Sequence, residues 1–231
     1  MQNLLLTLLI CFYSLSYGIE PKTYIGPLSY RHFQPKKGTY STTTDKVKEM
    51  RFALKKSNCS TDSCRNFFLN AFEYDIFPHW VGTNWDYNGY TNTPGAGKII
   101  ACGYFVSTPL KHMGFNWNRF KLAQMYSKDI VETLCDDVIK LSTAEEVKAH
   151  VENLPNHLYI VGLDSHVGMV LKSSSGTWFV HSNYYGIKGP DKEILEQSQA
   201  FRDTESYYLG TFSSDENMNK WLDGIEFPTE P

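Results

Sequence analysis

The sequence has no stripe of basic side chains, no internal repeat and no low-complexity segment. Its 22 Lys and Arg residues are scattered among 25 Asp and Glu residues, which gives a formal net charge of −3. Because nucleic-acid binding depends on positive charge clustered on one face, this balance argues against a nucleic-acid partner. Cysteine is scarce, with five residues, and no second Cys or His pair stands at metal-ligand spacing. We therefore expect no metal and no other cofactor.

No apolar run is long enough to span a membrane as a helix. Residues 1–18 (MQNLLLTLLICFYSLSYG) form a shorter apolar stretch that ends in small residues, which is typical of a secretory signal peptide cleaved near Gly18. The stretch has no Lys or Arg near its start, and an apolar N-terminal element of the folded domain is the alternative. Cys11 is disfavoured as a lipoprotein cysteine because Ile10 stands where a small residue is usual. The sequence therefore predicts a protein that is secreted or periplasmic.

The rest of the chain indicates an N-terminal arm followed by one domain. Residues 19–44 are rich in Pro, Gly, Tyr and Thr and have no sustained period, which predicts an extended arm that wraps the domain. Residues 45–231 are enough for a single domain with an ample core. We expect this domain to be monomeric.

The residue patterns of the domain predict a mixture of helices and strands. In chain order we expect helices at 45–56 and 63–74, a helix beginning at Cys102, a helix at 118–141 broken near Ser127, a capped helix at 142–154, strands at 158–163, 166–172 and 177–183, a helix at 191–202, a strand at 205–212 on the outside of the sheet, and a capped helix at 214–222. Cys59 and Cys64 lie between the first two helices, and either a local disulfide or a reduced pair fits this position. Cys135 lies on an apolar helical face and is interpreted as a core residue.

Cys102 is the strongest candidate for a functional residue. It follows a loop rich in Gly and Asn, and it stands where the first turn of a helix begins. The unpaired N–H groups and the positive end of the helix dipole at that position lower the pKa of a thiol. The sequence therefore predicts a nucleophilic thiolate at Cys102.

A base for this thiol is expected at the start of a strand. His166 opens the strand HVGMVLK, which follows the apolar run LYIVGL and a turn. A hairpin loop at 173–176 leads into the next strand, which contains His181 and Asn183. Because side chains alternate along a strand, these two residues point to the same face, and either of them could lie beside His166.

Four short motifs carry these residues in a fixed order. Residues 82–89 read GTNWDYNG, 101–104 read ACGY, 166–168 read HVG and 180–181 read VH. In their order and residue types they resemble the papain-like amidases of the NlpC type and their CHAP relatives, which cut peptide bonds in bacterial cell walls. The CHAP relatives place an acid and then Asn two residues apart on the last strand, where 181–183 here read HSN. The likeness covers about half of the chain.

The resemblance implies an α+β papain-like fold in which an N-terminal helical part packs on a central antiparallel sheet. It implies that Cys102 attacks an amide carbonyl and that His166 is the base. His181, by the habit of the NlpC type, or Asn183, by the habit of papain and the CHAP relatives, would orient the imidazole of His166.

The resemblance also implies a substrate and the residues that contact it. The substrate would be a stem peptide or cross-link of peptidoglycan, or another peptide or amide. Trp85, Asp86, Tyr87 and Ser165 are the candidates for binding the substrate or its oxyanion. Trp85 stands where the NlpC type usually has a Tyr that helps to hold the oxyanion, so either its indole N–H takes over that role or the role is absent.

Two other functions fit the same residues. One is a papain-like hydrolase or acyltransferase that acts on a substrate outside the cell wall. The other is a non-catalytic binding module that kept the fold, because Ala101 and Tyr104 depart from the usual residues around the cysteine.

Overall fold

The computed structural model of the protein describes residues 38–186 and 188–229. Six antiparallel strands in these ranges form one sheet: β1 (Asp136–Leu141), β2 (Leu158–Leu163), β3 (Val167–Ser173), β4 (Gly176–Asn183), β5 (Gly189–Ile194) and β6 (Tyr207–Thr211). Their spatial order is β1-β6-β2-β3-β4-β5, so that β1 and β5 are the outer strands. The hairpin from β3 to β4 has Ser173 opposite Gly176, as the turn signal predicted.

Nine α-helices accompany the sheet in the described part of the chain. They are α1 (Tyr40–Lys56), α2 (Thr61–Asn70), α3 (Phe77–Trp80), α4 (Cys102–His112), α5 (Arg119–Ala123), α6 (Ser127–Leu134), α7 (Ala144–Glu152), α8 (Gln199–Arg202) and α9 (Asp215–Asp223). A π-helical segment, Ala71–Ile76, joins α2 to α3, and a 3₁₀ turn, Leu195–Gln197, precedes α8. None of the helices in these ranges is long and apolar enough to cross a membrane.

Both faces of the sheet are buried by helices. On one face Ile160 and Met169 pack with helical residues such as Phe105 of α4. On the other face Tyr159 and Phe179 pack with a smaller set of residues from α7 and α8. Alternate side chains of β2 and β3 therefore enter different cores, which explains why these strands are apolar without a polar face. The α+β class with an antiparallel sheet agrees with the expectation from the sequence.

The first helix starts earlier than predicted. Residues 40–44, which were assigned to the arm, belong to α1, because Thr39 caps this helix and exchanges hydrogen bonds with Thr42 in a capping box. The Tyr40 hydroxyl is also bonded to His112 Nδ1 at 2.9 Å. The predicted signal peptide, Cys11 and the rest of the arm up to residue 37 lie outside the described residues.

The helix predicted over 118–141 is wrong in its last third. The chain is helical in α5 and α6, with the expected break before Ser127, and then extends as β1. The apolar residues of β1 fit a strand as well as a helix, and pairing decides between the two: Ile139 lies opposite Leu209 of β6. Cys135, at the junction, packs against the larger core as a partly buried residue.

Two assignments near the C-terminus are also corrected. Residues 191–202 were expected to be a helix, but Asp191 to Ile194 belong to β5, which pairs with β4 from Asn183 to Trp178. The strand predicted at 205–212 is present as β6, yet it lies between β1 and β2 rather than outside the sheet. Its residues are buried on both faces, with Leu209 in one core and Tyr208 against the other.

Two further helices begin with capping residues that accept hydrogen bonds from backbone N–H groups. Ser214 caps α9, as predicted, and Thr143 caps α7, one residue after the Ser142 that opens the predicted capping box. Cys59 and Cys64 are free thiols, so the reduced alternative is the one present. Burial raises the pKa of the Cys64 thiol to about 12.

Candidate active site

Cys102 is placed at the N-terminus of α4 by the loop that precedes it. The backbone of residue 84 bridges to the chain at 98–100, and Ala101 donates a backbone hydrogen bond of 2.8 Å to Gly89. Ala101 is extended, with φ −80° and ψ 165°, and the helix begins at the next residue. Cys102 therefore stands in the first turn, as predicted. The helix continues past Pro109 and ends at His112.

The small residue after the cysteine lets two helices approach closely. A Cβ atom on Gly103 would lie 2.4 Å from the carbonyl oxygen of Ala123, at the end of α5. Ala123 and the residues that follow it form the wall of the cleft beside Cys102. The absence of a side chain at Gly103 thus lets the end of α5 lie close to α4, which sets the position of that wall.

His166 and His181 form a buried pair. His166 lies just before β3, His181 lies on β4, and their Nε2 and Nδ1 atoms are 2.9 Å apart. His181 Nε2 is in turn 2.8 Å from Oε2 of Glu193 on β5. His166 is 3% exposed and His181 is fully buried, so solvent does not compete for the hydrogen bond between the two rings.

Asn183, the alternative third residue, has a different partner. Its side-chain oxygen accepts a hydrogen bond of 2.8 Å from the backbone N–H of Tyr185 and so shapes the turn after β4. Of the two candidates, His181 is the one that contacts His166 in the described structure.

Cys102 and His166 line one cleft of about 680 Å³. The cleft also contains Trp85, Tyr87 and Ser165, three of the four residues predicted to contact the substrate. The fourth is placed elsewhere: Asp86 accepts a hydrogen bond from the backbone N–H of Asn88, which stabilises the loop. Asp86 is not among the residues that line the cleft, and its role in binding substrate stays a prediction. The remaining lining residues are Ala101, Gly103, Tyr104, Ala123, Gln124, Met125, Tyr126, Ser127, Ile130, Asp164, Val167 and Tyr184.

Burial opposes the ionisation of the thiol. Burial raises the pKa of Cys102, although hydrogen bonds from the backbone N–H groups of Val167, Gly103 and Cys102 itself act in the opposite direction. Burial, and then the nearby His181, hold the pKa of His166 well below its usual value. The sequence predicted a low pKa for this thiol. These shifts instead favour a neutral thiol and a neutral imidazole in the free protein.

Two residues of the site were not found from the sequence. Tyr184 lies over the pair, with its ring centre 5.1 Å from that of His166 and 5.9 Å from that of Trp85. Burial raises the pKa of Tyr184 to about 12, so its hydroxyl stays protonated. Glu193 was hidden because its segment was predicted to be a helix. Recognition of β5 as the strand beside β4 would have brought Glu193 to the same face as His181.

Among the described residues, no group of three or more His, Cys, Asp or Glu side chains is arranged to hold a metal ion. No protein-family model, no curated protein and no solved structure matches the chain. The geometry of the cleft is therefore the basis for a proposal of function.

Proposed function

We propose that the protein is a papain-like cysteine hydrolase, similar to the NlpC and CHAP type, that cleaves amide bonds. The observation that supports this most is the joint position of Cys102 and His166 on one cleft, with His166 held from behind by His181. Cys102 opens a helix and His166 precedes a central strand, which is the arrangement that the papain-like resemblance implies.

The neutral resting pair suggests a mechanism by general base catalysis. His166 Nε2 is bonded to His181, which leaves Nδ1 as the ring nitrogen able to receive the thiol proton. In the reaction the Cys102 proton moves to His166 Nδ1 while the sulfur bonds to the amide carbon. His166 then gives this proton to the leaving amine as the C–N bond breaks, which leaves a thioester on Cys102. Water, deprotonated by the same nitrogen, hydrolyses the thioester and restores the thiol.

Backbone donors beside the sulfur support stabilisation of the oxyanion. The N–H groups of Cys102, Gly103 and Val167 all lie near the thiol. A carbonyl carbon bonded to Cys102 would place its oxygen within reach of the first-turn N–H groups. The indole of Trp85 lines the same cleft and is the side chain proposed to assist them.

By resemblance, the substrate would be a peptide bond of peptidoglycan, met in the periplasm or outside the cell. Five aromatic residues line the cleft and supply the flat apolar surfaces that grip a peptide backbone or a sugar ring. They are Trp85, Tyr87, Tyr104, Tyr126 and Tyr184.

The charge of the cleft favours a second substrate class. Among the described residues, its lining contains no Lys or Arg, and Asp164 is its one carboxylate. Hydrogen bonds from the Ser206 hydroxyl, then from the Glu205 backbone, hold the pKa of Asp164 below its usual range, so it stays ionised. Among the lining residues themselves, a substrate carboxylate beside the scissile bond would meet no cationic partner, although Lys188 Nζ lies 5.4 Å from the centre of the Trp85 ring. An uncharged amide or ester, outside the cell wall, is therefore the rival substrate.

The proposed chemistry is tested by trapping the thioester. We expect a neutral aromatic probe, N-acetyl-phenylalanine p-nitrophenyl ester, to release a burst of one p-nitrophenolate per protein and to leave an acyl group on Cys102 that mass spectrometry detects. Cys102→Ala and His166→Ala should both abolish the burst. Cys135→Ser, which removes a thiol outside the cleft, should retain it. A burst that persists in Cys102→Ala, or its absence from the unmodified protein, would favour a binding module.

The two substrate classes are separated with matched amides. Purified muropeptides and neutral blocked dipeptide anilides of similar size would be incubated with the protein and with Cys102→Ala. Cleavage of muropeptides alone supports the cell-wall substrate, and cleavage of the neutral anilides alone supports the rival.

A further inference from the structure

Behind the proposed nucleophile and base lies a chain of three side chains that ends in a carboxylate. His166 contacts His181 through Nε2 and Nδ1 at 2.9 Å, and His181 contacts Glu193 through Nε2 and Oε2 at 2.8 Å. Phe179 stacks on the His181 ring with centres 4.2 Å apart, which holds the ring in plane for both contacts. These contacts give a hydrogen-bond partner to both ring nitrogens of His181 and to Nε2 of His166, and leave Nδ1 of His166.

The carboxylate of Glu193 determines which ring nitrogens of His181 and His166 carry protons. An ionised carboxylate only accepts hydrogen bonds, so the proton must lie on Nε2 of His181. A neutral His181 then has a bare Nδ1, which accepts, and the proton of His166 must lie on its Nε2. The remaining nitrogen, His166 Nδ1, is left bare. A bare Nδ1 is the form that can take a proton from Cys102.

From this chain we infer that Glu193 is a positioning residue that, acting through His181, holds His166 in the tautomer needed for a base. This inference rests on the proposed function for its consequence in catalysis, but the tautomers themselves do not depend on any substrate. Glu193 is not among the residues that line the cleft, and it reaches the pair through its hydrogen bond to His181.

Other ionisable groups face the pair and act differently. Asp191 lies opposite His181 in the β4–β5 register, and its carboxylate accepts a hydrogen bond from the Lys192 backbone. The Tyr184 ring packs edge to face with that of His166, and Cys102 lines the same cleft as both residues. Among the contacts described here, the carboxylate of Glu193 is the one bonded directly to an imidazole of the pair.

The inference also identifies the inactive tautomer. If His181 carried its proton on Nδ1, that nitrogen would donate, and His166 would have to accept on Nε2 and carry its own proton on Nδ1. That tautomer cannot accept the thiol proton. In Glu193→Gln, the amide can donate as well as accept, so both tautomers of a neutral His181 become accessible, and both tautomers of His166 with them.

The direct test is nitrogen-15 NMR of the imidazoles, with signals assigned through His166→Ala and His181→Ala. In the unmodified protein at pH 7.5 we expect His166 and His181 each to be protonated on Nε2 and bare on Nδ1. In Glu193→Gln we expect mixed tautomers at both residues. Glu193→Asp, which keeps a carboxylate, should restore part of the native pattern. A proton on His166 Nδ1 in the unmodified protein, or tautomers unaffected by Glu193→Gln, would overturn the inference.

Activity gives a second readout that separates positioning from folding. With the ester probe, Glu193→Gln should lower the acylation rate by about 10²-fold, less than the ~10⁴-fold loss that follows when the carboxylate adjoining a catalytic His becomes an amide. The acid limb of its pH–rate profile should shift, while KM changes little. The matched control is Glu196→Gln, which removes a surface carboxylate paired with Lys148 and should leave rate and profile unchanged. If NMR shows the expected tautomers but Cys102 does not react with the probe, the proposed hydrolase function is refuted. The role of Glu193 in setting the tautomers is then still supported.

Discussion

The hydroxyl of Ser182 donates a hydrogen bond of 2.8 Å to the carbonyl oxygen of Ile100. Ser182 follows His181 on β4, and Ile100 lies two residues before Cys102, so this bond joins the strand of the histidines to the loop of the nucleophile. Both residues are fully buried. The bond is therefore a direct constraint on the separation between the proposed nucleophile and base.

Ser182→Ala tests that constraint. We expect a loss of about 1–3 kcal/mol in the free energy of unfolding, because the Ile100 carbonyl is left without its buried donor. We expect a further loss of about tenfold in the acylation rate, since the loop can shift relative to β4. Denaturant unfolding and burst kinetics measure the two effects. Ser198→Ala is the control, because its buried hydroxyl has no hydrogen-bond partner among the described residues. Equal stability losses in both variants would show that the Ser182 bond is not a constraint.

The reactivity of Cys102 should follow its burial. Because burial raises the pKa of this thiol and lowers that of His166, the free protein holds both groups neutral near pH 7. In a Cys59→Ser, Cys64→Ser, Cys135→Ser background, we expect iodoacetamide to alkylate Cys102 with a midpoint above the ~8.5 of an ordinary thiol. Mass spectrometry of samples quenched between pH 6 and 10 gives the profile. Rapid alkylation at pH 6 would contradict this and show a preformed thiolate and imidazolium pair.

The sequence contained the signals for most of the proposed catalytic residues because those signals are local. A helix start at Cys102 needs only a loop and a helical pattern, and the hairpin that contains His181 needs two apolar runs and a turn. His166 at the start of β3 followed from the same runs. These local signals, with the residue order, were enough to place three of the four groups from Cys102 to Glu193.

Glu193 was missed because its position depends on distant contacts. The segment 189–194 is polar, and its burial comes from pairing with β4 and from a contact between Lys192 and Glu73, which is 119 residues away in the chain. No periodicity within the segment reports such a contact. For the same reason β1 was predicted as the end of a helix, since the partner that makes it a strand is β6. Propensity is overridden in both places by tertiary pairing.

Gly103 should be sensitive to a single methyl group. In Gly103→Ala the new Cβ would lie 2.4 Å from the backbone oxygen of Ala123, and a backbone atom cannot rotate away as a side chain can. We expect a stability loss of about 1–3 kcal/mol from overpacking, and weaker binding of the ester probe because the wall after α5 moves. Thermal unfolding and KM for the probe measure these effects. Ser41→Ala, on an exposed position of α1, is the control. An unchanged KM in Gly103→Ala would show that this wall does not contribute to binding of the probe.

The strand that contains Glu193 is fixed from its other face by a buried ion pair. Lys192 Nζ lies 2.5 Å from Oε1 of Glu73, and both side chains are almost fully buried. The hydroxyls of Ser173 and Ser175 also donate to the Glu73 carboxylate, at 2.8 and 2.5 Å. Because neighbouring residues of a strand face opposite sides, this pair anchors β5 while Glu193 faces His181.

Lys192→Met should therefore destabilise the protein by about 3–5 kcal/mol, since it leaves the buried Glu73 carboxylate without its cation. The double variant Lys192→Met, Glu73→Gln removes both charges and should recover most of this loss. The matched surface variant is Lys148→Met, whose pair with Glu196 is roughly half exposed, and it should cost no more than about 1 kcal/mol. Guanidinium unfolding of the four proteins gives the comparison.

If Lys192→Met costs no more than Lys148→Met, or if the double variant is less stable than the single one, the pair does not anchor β5. If the pair does anchor β5, acylation in Lys192→Met should fall together with the native tautomer of His166, because Glu193 would no longer be held against His181.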